Sequence, residues 1–169
     1  MNRRFVSIAL MIGALAFLQI SCDKGIEADP SFGRIEINEG IEGLPLGAVS
    51  ATVVQKLGLP DRISIDNAYA YVFEYTHGQY ANMILQVYPR NTGAEGLFTV
   101  ELREPYDGKT VQGIGIGSRR GDALIRLGAP TTTHDVDATT FDYYYGSRAT
   151  TMFEYFDDKI IHIVIYRTA

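Results

Sequence analysis

The sequence predicts an α+β fold of two tandem repeats, each a short helix followed by a three-stranded antiparallel meander, with the helices packed on the sheet. Three observations indicate this fold. The chain aligns with itself at an offset of 70 residues, each copy contains one stretch of helical periodicity, and strand-like alternation follows each helix. A length of 169 residues with 46% hydrophobic residues is typical of one globular domain.

The self-alignment contains two motifs and needs no gap. Residues 43–47 align with residues 113–117, and residues 57–60 align with residues 127–130. The six motif positions expected to be structural are Gly47, Gly58, Pro60, Gly117, Gly128 and Pro130. We therefore divide the folded part into repeat 1, residues 43–108, and repeat 2, residues 109–169.

Each predicted helix has a defined end. Gly58 and Gly128 follow the last apolar helical positions and are expected to adopt a positive φ, while Pro60 and Pro130 prevent the helix from continuing. Ser118 is the expected N-cap of the second helix.

Six strands are predicted from alternation of apolar and polar residues. They span residues 68–75, 83–88 and 97–103 in repeat 1, and residues 141–145, 150–156 and 159–166 in repeat 2. The alignment assigns six aromatic residues to the core, namely Tyr71, Phe73, Tyr75, Phe141, Tyr143 and Tyr145.

The first 21 residues predict an export signal. Arg3 and Arg4 precede an uncharged, mostly apolar run over residues 5–20, which is shorter than the ~20 residues that a membrane-spanning helix needs. Ser21-Cys22 resembles the end of a bacterial lipoprotein signal, in which the cysteine is lipidated and becomes the new N-terminus. The family usually has Leu where this chain has Gln19. The alternative is an ordinary secretory signal cut near residues 14–16, which leaves Cys22 as a thiol.

Residues 22–42 are predicted to be the lipidated N-terminus and an acidic tether. Acidic residues outnumber basic ones in this segment, and glycine and proline are interspersed. The resemblance implies a lipid-anchored protein of the bacterial cell envelope, on the outer membrane, on the periplasmic side of the inner membrane, or at the cell surface.

Composition excludes several kinds of site. With 15 Lys+Arg against 20 Asp+Glu, the net charge of −5 argues against nucleic-acid binding. A single cysteine excludes a disulfide framework within the chain and a cysteine-rich zinc site. Residues 108–110 lack the earlier glycine and the following helix of a phosphate-binding loop, so we expect no nucleotide. His77, His134 and His162 lie far apart and none has a second ligand at helical spacing, so we expect no metal and no cofactor.

The two motif copies resemble the small outer-membrane lipoproteins of the BamE/SmpA kind, and their tandem arrangement is similar to the fold of the β-lactamase inhibitor protein, BLIP. The resemblance covers residues 43–166. It implies a BLIP-like domain of helices on a sheet that acts by binding other proteins, and it brings no catalytic residue.

The candidate protein-binding residues are Tyr144, Glu154, His162 and Tyr166, which alternation places on an exposed sheet face. We interpret the chain as a non-enzymatic, membrane-anchored module that binds an envelope protein of unknown identity. Two alternatives stay open. One is an envelope enzyme or accessory module acting on cell wall or glycan, with loop carboxylates such as Asp135 and Asp137, and the other is a periplasmic inhibitor.

Overall fold

The computed structural model describes residues 33–41, 43–66, 69–89 and 95–168. Two helices are present in this part of the chain, α1 (Ser50–Leu57) and α2 (Arg120–Leu127), with one turn of 3-10 helix at Gly78–Tyr80. The strands are β1 (Ile35–Glu36), β2 (Gly40–Ile41), β3 (Leu44–Pro45), β4 (Arg62–Ile65), β5 (Tyr71–Tyr75), β6 (Met83–Tyr88), β7 (Gly96–Arg103), β8 (Thr132–Val136), β9 (Thr139–Tyr145), β10 (Ala149–Phe156) and β11 (Lys159–Arg167).

The strands form two antiparallel sheets. The large sheet has eight strands in the order β4-β5-β6-β7-β11-β10-β9-β8, and the small sheet has the order β1-β2-β3. Strands β4–β7 follow α1 in the chain and strands β8–β11 follow α2, so the two halves of the large sheet join where β7 pairs with β11.

The predicted fold class, α+β with two BLIP-like repeats of a helix and three strands, is wrong. The described residues are mainly strand, with four strands after each helix and a second, small sheet. Strands β4 and β8 escaped the prediction because they are edge strands whose residues are nearly all exposed, so their sequence shows no burial alternation. Strands of two residues, such as β1–β3, are too short to show any period.

One face of the large sheet, the core face, packs against the helices. Val53 of α1 and Ala123 of α2 are fully buried in one cluster with the inward residues of the central strands. These strand residues include Phe73, Met83, Leu85, Val100, Leu102, Phe153, Ile163 and Ile165. The opposite face, the open face, carries the alternate residues of the same strands.

The aromatic strand of the second half is shifted by one residue relative to the 70-residue alignment. Five residues separate the paired Ile65 and Tyr71, but four separate Asp135 and Thr140. Downstream of this connection the offset is therefore 69. As a result, Phe73 and Tyr75 are buried as predicted, whereas the prediction that Phe141, Tyr143 and Tyr145 are core is wrong. Tyr71, also assigned to the core, is 37% exposed.

The predicted helix C-termini are confirmed. Gly58 and Gly128 follow α1 and α2 with φ values of 83° and 88°, and both have ψ of −176°. Gly47 and Gly117 also have positive φ, 90° and 80°. Pro60 and Pro130 lie three residues after the last residues of α1 and α2.

The predicted N-cap is wrong. Helix α2 starts at Arg120, and its cap residue Arg119 makes no side-chain cap. The hydroxyl of Ser118 instead accepts a hydrogen bond from the Gly115 amide at 3.1 Å, which closes the preceding turn.

The structure places residues 33–41, the end of the predicted tether, within the fold. Ile35 and Ile41 pair across β1 and β2 and are each 1% exposed. The predicted signal peptide and Cys22 lie outside the described residues. Within the described ranges, neither helix has the length and apolar character needed to cross a membrane.

Candidate functional site

A histidine flanked by two glutamates lies near the middle of the open face. His162 in β11 pairs with Glu154 in β10, and Glu101 lies on the neighbouring strand β7. A β-bulge precedes His162: Tyr155 pairs with Ile160 and Glu154 pairs with His162, so Ile161 is the extra residue of β11. The bulge exposes Ile161, 40%, and leaves His162 facing the same side as Glu154.

Both ring nitrogens of His162 face a carboxylate. Nδ1 lies 3.0 Å from Glu154 Oε2, and Nε2 lies 3.5 Å from Glu101 Oε2. A neutral imidazole has a single N–H and can donate to only one glutamate, whereas the protonated ring donates to both. His162 is only 6% exposed, so these carboxylates hold it within the sheet surface.

The electrostatics of the cluster favour an ionised Glu101. The contact of Glu101 with His162 Nε2 at 3.5 Å lowers the pKa of Glu101 most, burial opposes it, and the nearby Arg103 lowers the pKa further. Arg103 and His162 are register partners across β7 and β11. The cluster therefore places the Glu101 carboxylate between His162 and Arg103.

Aromatic residues extend from the cluster toward the β8 edge of the open face. The rings of Tyr143 and Tyr145 lie 6.0 Å apart, and His134 packs edge-on to Tyr143 at 5.5 Å. Phe141 is the register partner of Glu154. Burial raises the pKa of Tyr143, with the nearby Tyr166, Tyr145 and Glu154 acting in the same direction. We call this group, Phe141, Tyr143, Tyr145 and Tyr166, the aromatic surface.

Of the four residues predicted to bind a partner, three share the open face. Glu154 and His162 form the ionic cluster, and Tyr166 lies between Thr99 of β7 and Thr150 of β10. The placement of Tyr144 on this face is wrong, because the one-residue shift in β9 turns it to the core.

Tyr144 has a structural role. Its ring packs edge-on to Phe153 at 5.6 Å, and its hydroxyl donates to the carbonyl of Gly128 at 3.1 Å. Tyr75 makes the same 3.1 Å bond to the carbonyl of Gly58. In each half of the sheet, a buried tyrosine thus holds the end of the preceding helix.

Sequence reasoning missed Glu101 and Arg103. The pattern that could have found them is the alternation of Thr99, Glu101 and Arg103 with Val100 and Leu102, which places charges on one face of a strand. Without the order of the strands, nothing in the sequence joins β7 to β11.

The carboxylates suggested for the enzyme alternative line none of the three clefts found among the described residues. Asp135 lies on edge strand β8 and accepts a hydrogen bond from Thr140 at 2.7 Å. Asp137 lies in the tight turn between β8 and β9, with φ of 53°. Three surface clefts, of about 510, 350 and 410 Å³, lie elsewhere and are lined by neither aspartate.

Among the residues that the structure describes, no group of three or more His, Cys, Asp or Glu side chains could hold a metal ion. In the Glu101–His162–Glu154 cluster the reason is visible. The glutamates contact opposite nitrogens of the ring, so the three side chains do not converge on one point.

A second ionic contact lies on the core face and anchors α2. Asp142 is fully buried, and both of its oxygens accept hydrogen bonds from Arg120, at 2.8 Å and 3.0 Å. Thr133 donates to the same carboxylate at 2.6 Å, and the Arg120 guanidinium lies 6.0 Å from the Tyr155 ring centroid. This bidentate pair fixes the start of the helix against β9.

Comparison with known proteins identifies neighbours in fold. No protein-family model matches the chain, and no curated protein matches it in sequence. A DUF4309 family protein, YjgB, from Bacillus subtilis subsp. subtilis str. 168 is similar with a TM-score of 0.52 and 15% identity, over 78% of this chain and 88% of that chain. An extracellular protein containing an SCP domain from Bacillus anthracis str. Ames has a TM-score of 0.51 and 12% identity, over 72% of this chain and 43% of its own.

At these identities the similarity concerns the fold alone. It agrees with the mainly β architecture that replaces the predicted BLIP-like one. The class that the fold and site define is thus a mainly antiparallel β domain with an ionic and aromatic surface on one sheet face.

Proposed function

We propose that the chain is a non-enzymatic protein-binding module of the bacterial cell envelope, which contacts its partner through the open face. The observation that carries this proposal is the pairing of the rigid Glu101–His162–Glu154 cluster with the aromatic surface. Partly exposed tyrosines on a rigid sheet supply contact area at low entropic cost, and fixed charges supply orientation.

The cluster is better suited to binding than to catalysis. A general base needs a free lone pair near the substrate, and in His162 both ring nitrogens face carboxylates. None of the three clefts described above is lined by His162, whereas ligand sites for small molecules are concave.

The proposal includes a lipid anchor at Cys22. The apolar run before Ser21-Cys22 supports it, and a diacylglyceryl group would supply the two chains that stable anchoring requires. The description of the SCP-domain neighbour as extracellular supports a location outside the cytoplasm. In wild-type cells we expect the chain in the detergent phase after phase partitioning, and in the aqueous phase for Cys22→Ala.

The binding surface is tested by crosslinked pull-down from the native envelope. The test variant is Tyr143→Ala with Tyr145→Ala, which removes the exposed Tyr145 and the partly buried Tyr143 beside it from the aromatic surface. The control is Ile125→Ala, which removes an 83% exposed apolar side chain from α2, on the other side of the sheet.

We expect wild type and the Ile125→Ala control to recover one dominant envelope protein in equal yield, and the aromatic variant to lose it. Far-UV circular dichroism and thermal unfolding establish that the aromatic variant is folded. Equal recovery by all three chains, or no specific partner for the folded wild type, contradicts the proposal.

A further inference from the structure

Strand β4 forms one edge of the large sheet and exposes an apolar strip. Ile63 and Ile65 are 60% and 63% exposed, and both face the side of the sheet that carries the helices. Tyr71, the register partner of Ile65 in β5, is 37% exposed. In the described part of the chain, no strand pairs with the outer side of β4. An exposed apolar edge is a template for pairing with another strand.

The opposite edge, β8, is protected by polar residues. Its residues facing the helix side are Thr133 and Asp135. The Thr133 hydroxyl donates a hydrogen bond to Asp142, and the Asp135 carboxylate accepts one from Thr140. An added strand would remove the Asp135 carboxylate from water and leave it with the Thr140 hydroxyl but no cation. Of the two edge strands that the structure describes in the large sheet, β4 is therefore the one suited to strand addition.

The backbone of β4 determines which residues can bond outward. The Asp66 amide donates to the Ala70 carbonyl at 3.0 Å, which continues the register of the β4–β5 pair. Because hydrogen-bonding residues alternate along an antiparallel strand, Arg62 and Ser64 also bond toward β5. The amides and carbonyls of Ile63 and Ile65 then point to the free side.

We propose that β4 pairs antiparallel with β4 of a second copy of this chain, about a two-fold axis at Ser64. In this register each Ile63 lies opposite the second copy's Ile65, so the outward amides and carbonyls are satisfied and four isoleucines pack together. On the open face each Arg62 lies opposite the second copy's Asp66, which brings two pairs of opposite charge together. Within one copy, Arg62 lies 3.9 Å from Glu74 and Asp66 Oδ1 accepts a hydrogen bond from the Ala70 amide, so the new pairs add to these contacts.

In this register the apolar residues of β4 lie opposite apolar residues of the second copy and its charges lie opposite charges of the other sign. The β4 sequence therefore favours a second copy of this chain over an unrelated strand. A shift of two residues would place Ile63 opposite itself, or Ile65 opposite itself, and would remove the Arg62–Asp66 pairs. The two-fold arrangement gives a closed dimer, because it uses the β4 edge of both copies and leaves no free β4 edge for a third copy. The two eight-stranded sheets become one continuous sheet.

The contact is short, so we expect weak association that depends on local concentration, as between copies confined to one surface. It uses the β4 edge and involves neither the Glu101–His162–Glu154 cluster nor the aromatic surface. The inference is therefore independent of the proposed binding function.

Disulfide trapping in the full chain tests the register. Residues opposite each other in a non-hydrogen-bonded pair have Cα atoms about 4.5 Å apart, which a disulfide can bridge. Ser64→Cys should therefore form a covalent homodimer on mild oxidation of cells that express the chain. His134→Cys, at the middle of β8 on the same face, is the matched control. Wild type, whose one cysteine is Cys22, reports any disulfide through that residue.

We expect a dimer yield for Ser64→Cys at least about tenfold above that of His134→Cys. Adding Ile63→Lys to Ser64→Cys should reduce the yield about tenfold, because it places a charged side chain opposite each Ile65 and two like charges at diagonal positions across the two-fold. Ile63 is exposed, and circular dichroism establishes that the variant folds. Equal yields at the two edges, no effect of Ile63→Lys, no dimer, or a disulfide to a different protein overturns the proposal.

Discussion

The conformation of Gly128 makes a quantitative prediction about stability. Its φ of 88° and ψ of −176° lie in a region that is essentially restricted to glycine. A Cβ added at Gly128 meets nothing within 4 Å, so Gly128→Ala introduces no clash and removes no packing. Any loss of stability must then come from backbone strain, about 1–3 kcal/mol.

Gly121 in the same helix provides a matched control. It lies in the first turn of α2, where a Cβ also meets nothing within 4 Å, and its φ is not positive. Gly121→Ala should stabilise the protein by about 0.4–1 kcal/mol, partly because alanine reduces the entropy of the unfolded chain. That unfolded-state contribution is common to both variants, so their difference isolates the strain at Gly128.

The assay is urea unfolding followed by far-UV circular dichroism, since the chain has no tryptophan. We expect Gly128→Ala to be about 1–3 kcal/mol less stable than Gly121→Ala, and Gly58→Ala, with φ of 83° and the same ψ, to behave like Gly128→Ala. If Gly128→Ala were as stable as Gly121→Ala, the helix would have to end elsewhere and the reasoning would be refuted.

Three further predictions concern ionisable groups. Arg120→Leu should lower the free energy of unfolding by about 3–5 kcal/mol because it leaves Asp142 buried and unpaired, and Arg120→Leu with Asp142→Leu should recover most of that loss in urea unfolding. The pKa of Glu101 lies below its ordinary value of 4.5, so ionised Glu101 stabilises the folded state above that pH, and this stabilisation is lost as pH falls through the folded-state pKa. Urea midpoints measured between pH 6 and 3 should therefore decline less for Glu101→Gln than for wild type. Burial raises the pKa of Tyr75 to about 12, so the protein should lose stability as pH rises from about 10 to 12. Phenolate absorbance follows the ionisation, and urea unfolding over that range should show a smaller loss of stability for Tyr75→Phe than for wild type.

Local features of the fold could be predicted from sequence because their physical cause is local. Gly58 and Gly128 end helices because only glycine adopts the required φ, and β6 was predicted with its observed bounds because Met83, Leu85 and Val87 alternate with partly exposed residues. The edge strands were missed because a strand exposed on both faces has no such alternation.

The candidate site was only partly predictable because it depends on the exact length of the connection before β9 and on the order of the strands in the sheet. A connection one residue shorter before β9 turned Tyr144 inward and Tyr145 outward, although both are tyrosines in a run of three. Glu101 joins the site through the pairing of β7 with β11, a contact between distant segments that no local pattern reveals.

The junction of β7 and β11 also has a consequence for the order of folding. The other strand pairs of the large sheet join neighbours in sequence, so β4–β7 can assemble before β11 has been synthesised. During that interval β7 is an exposed edge next to a growing chain. Glu101 and Arg103, which later contribute to the open face, give this temporary edge the charges that discourage pairing with the wrong chain.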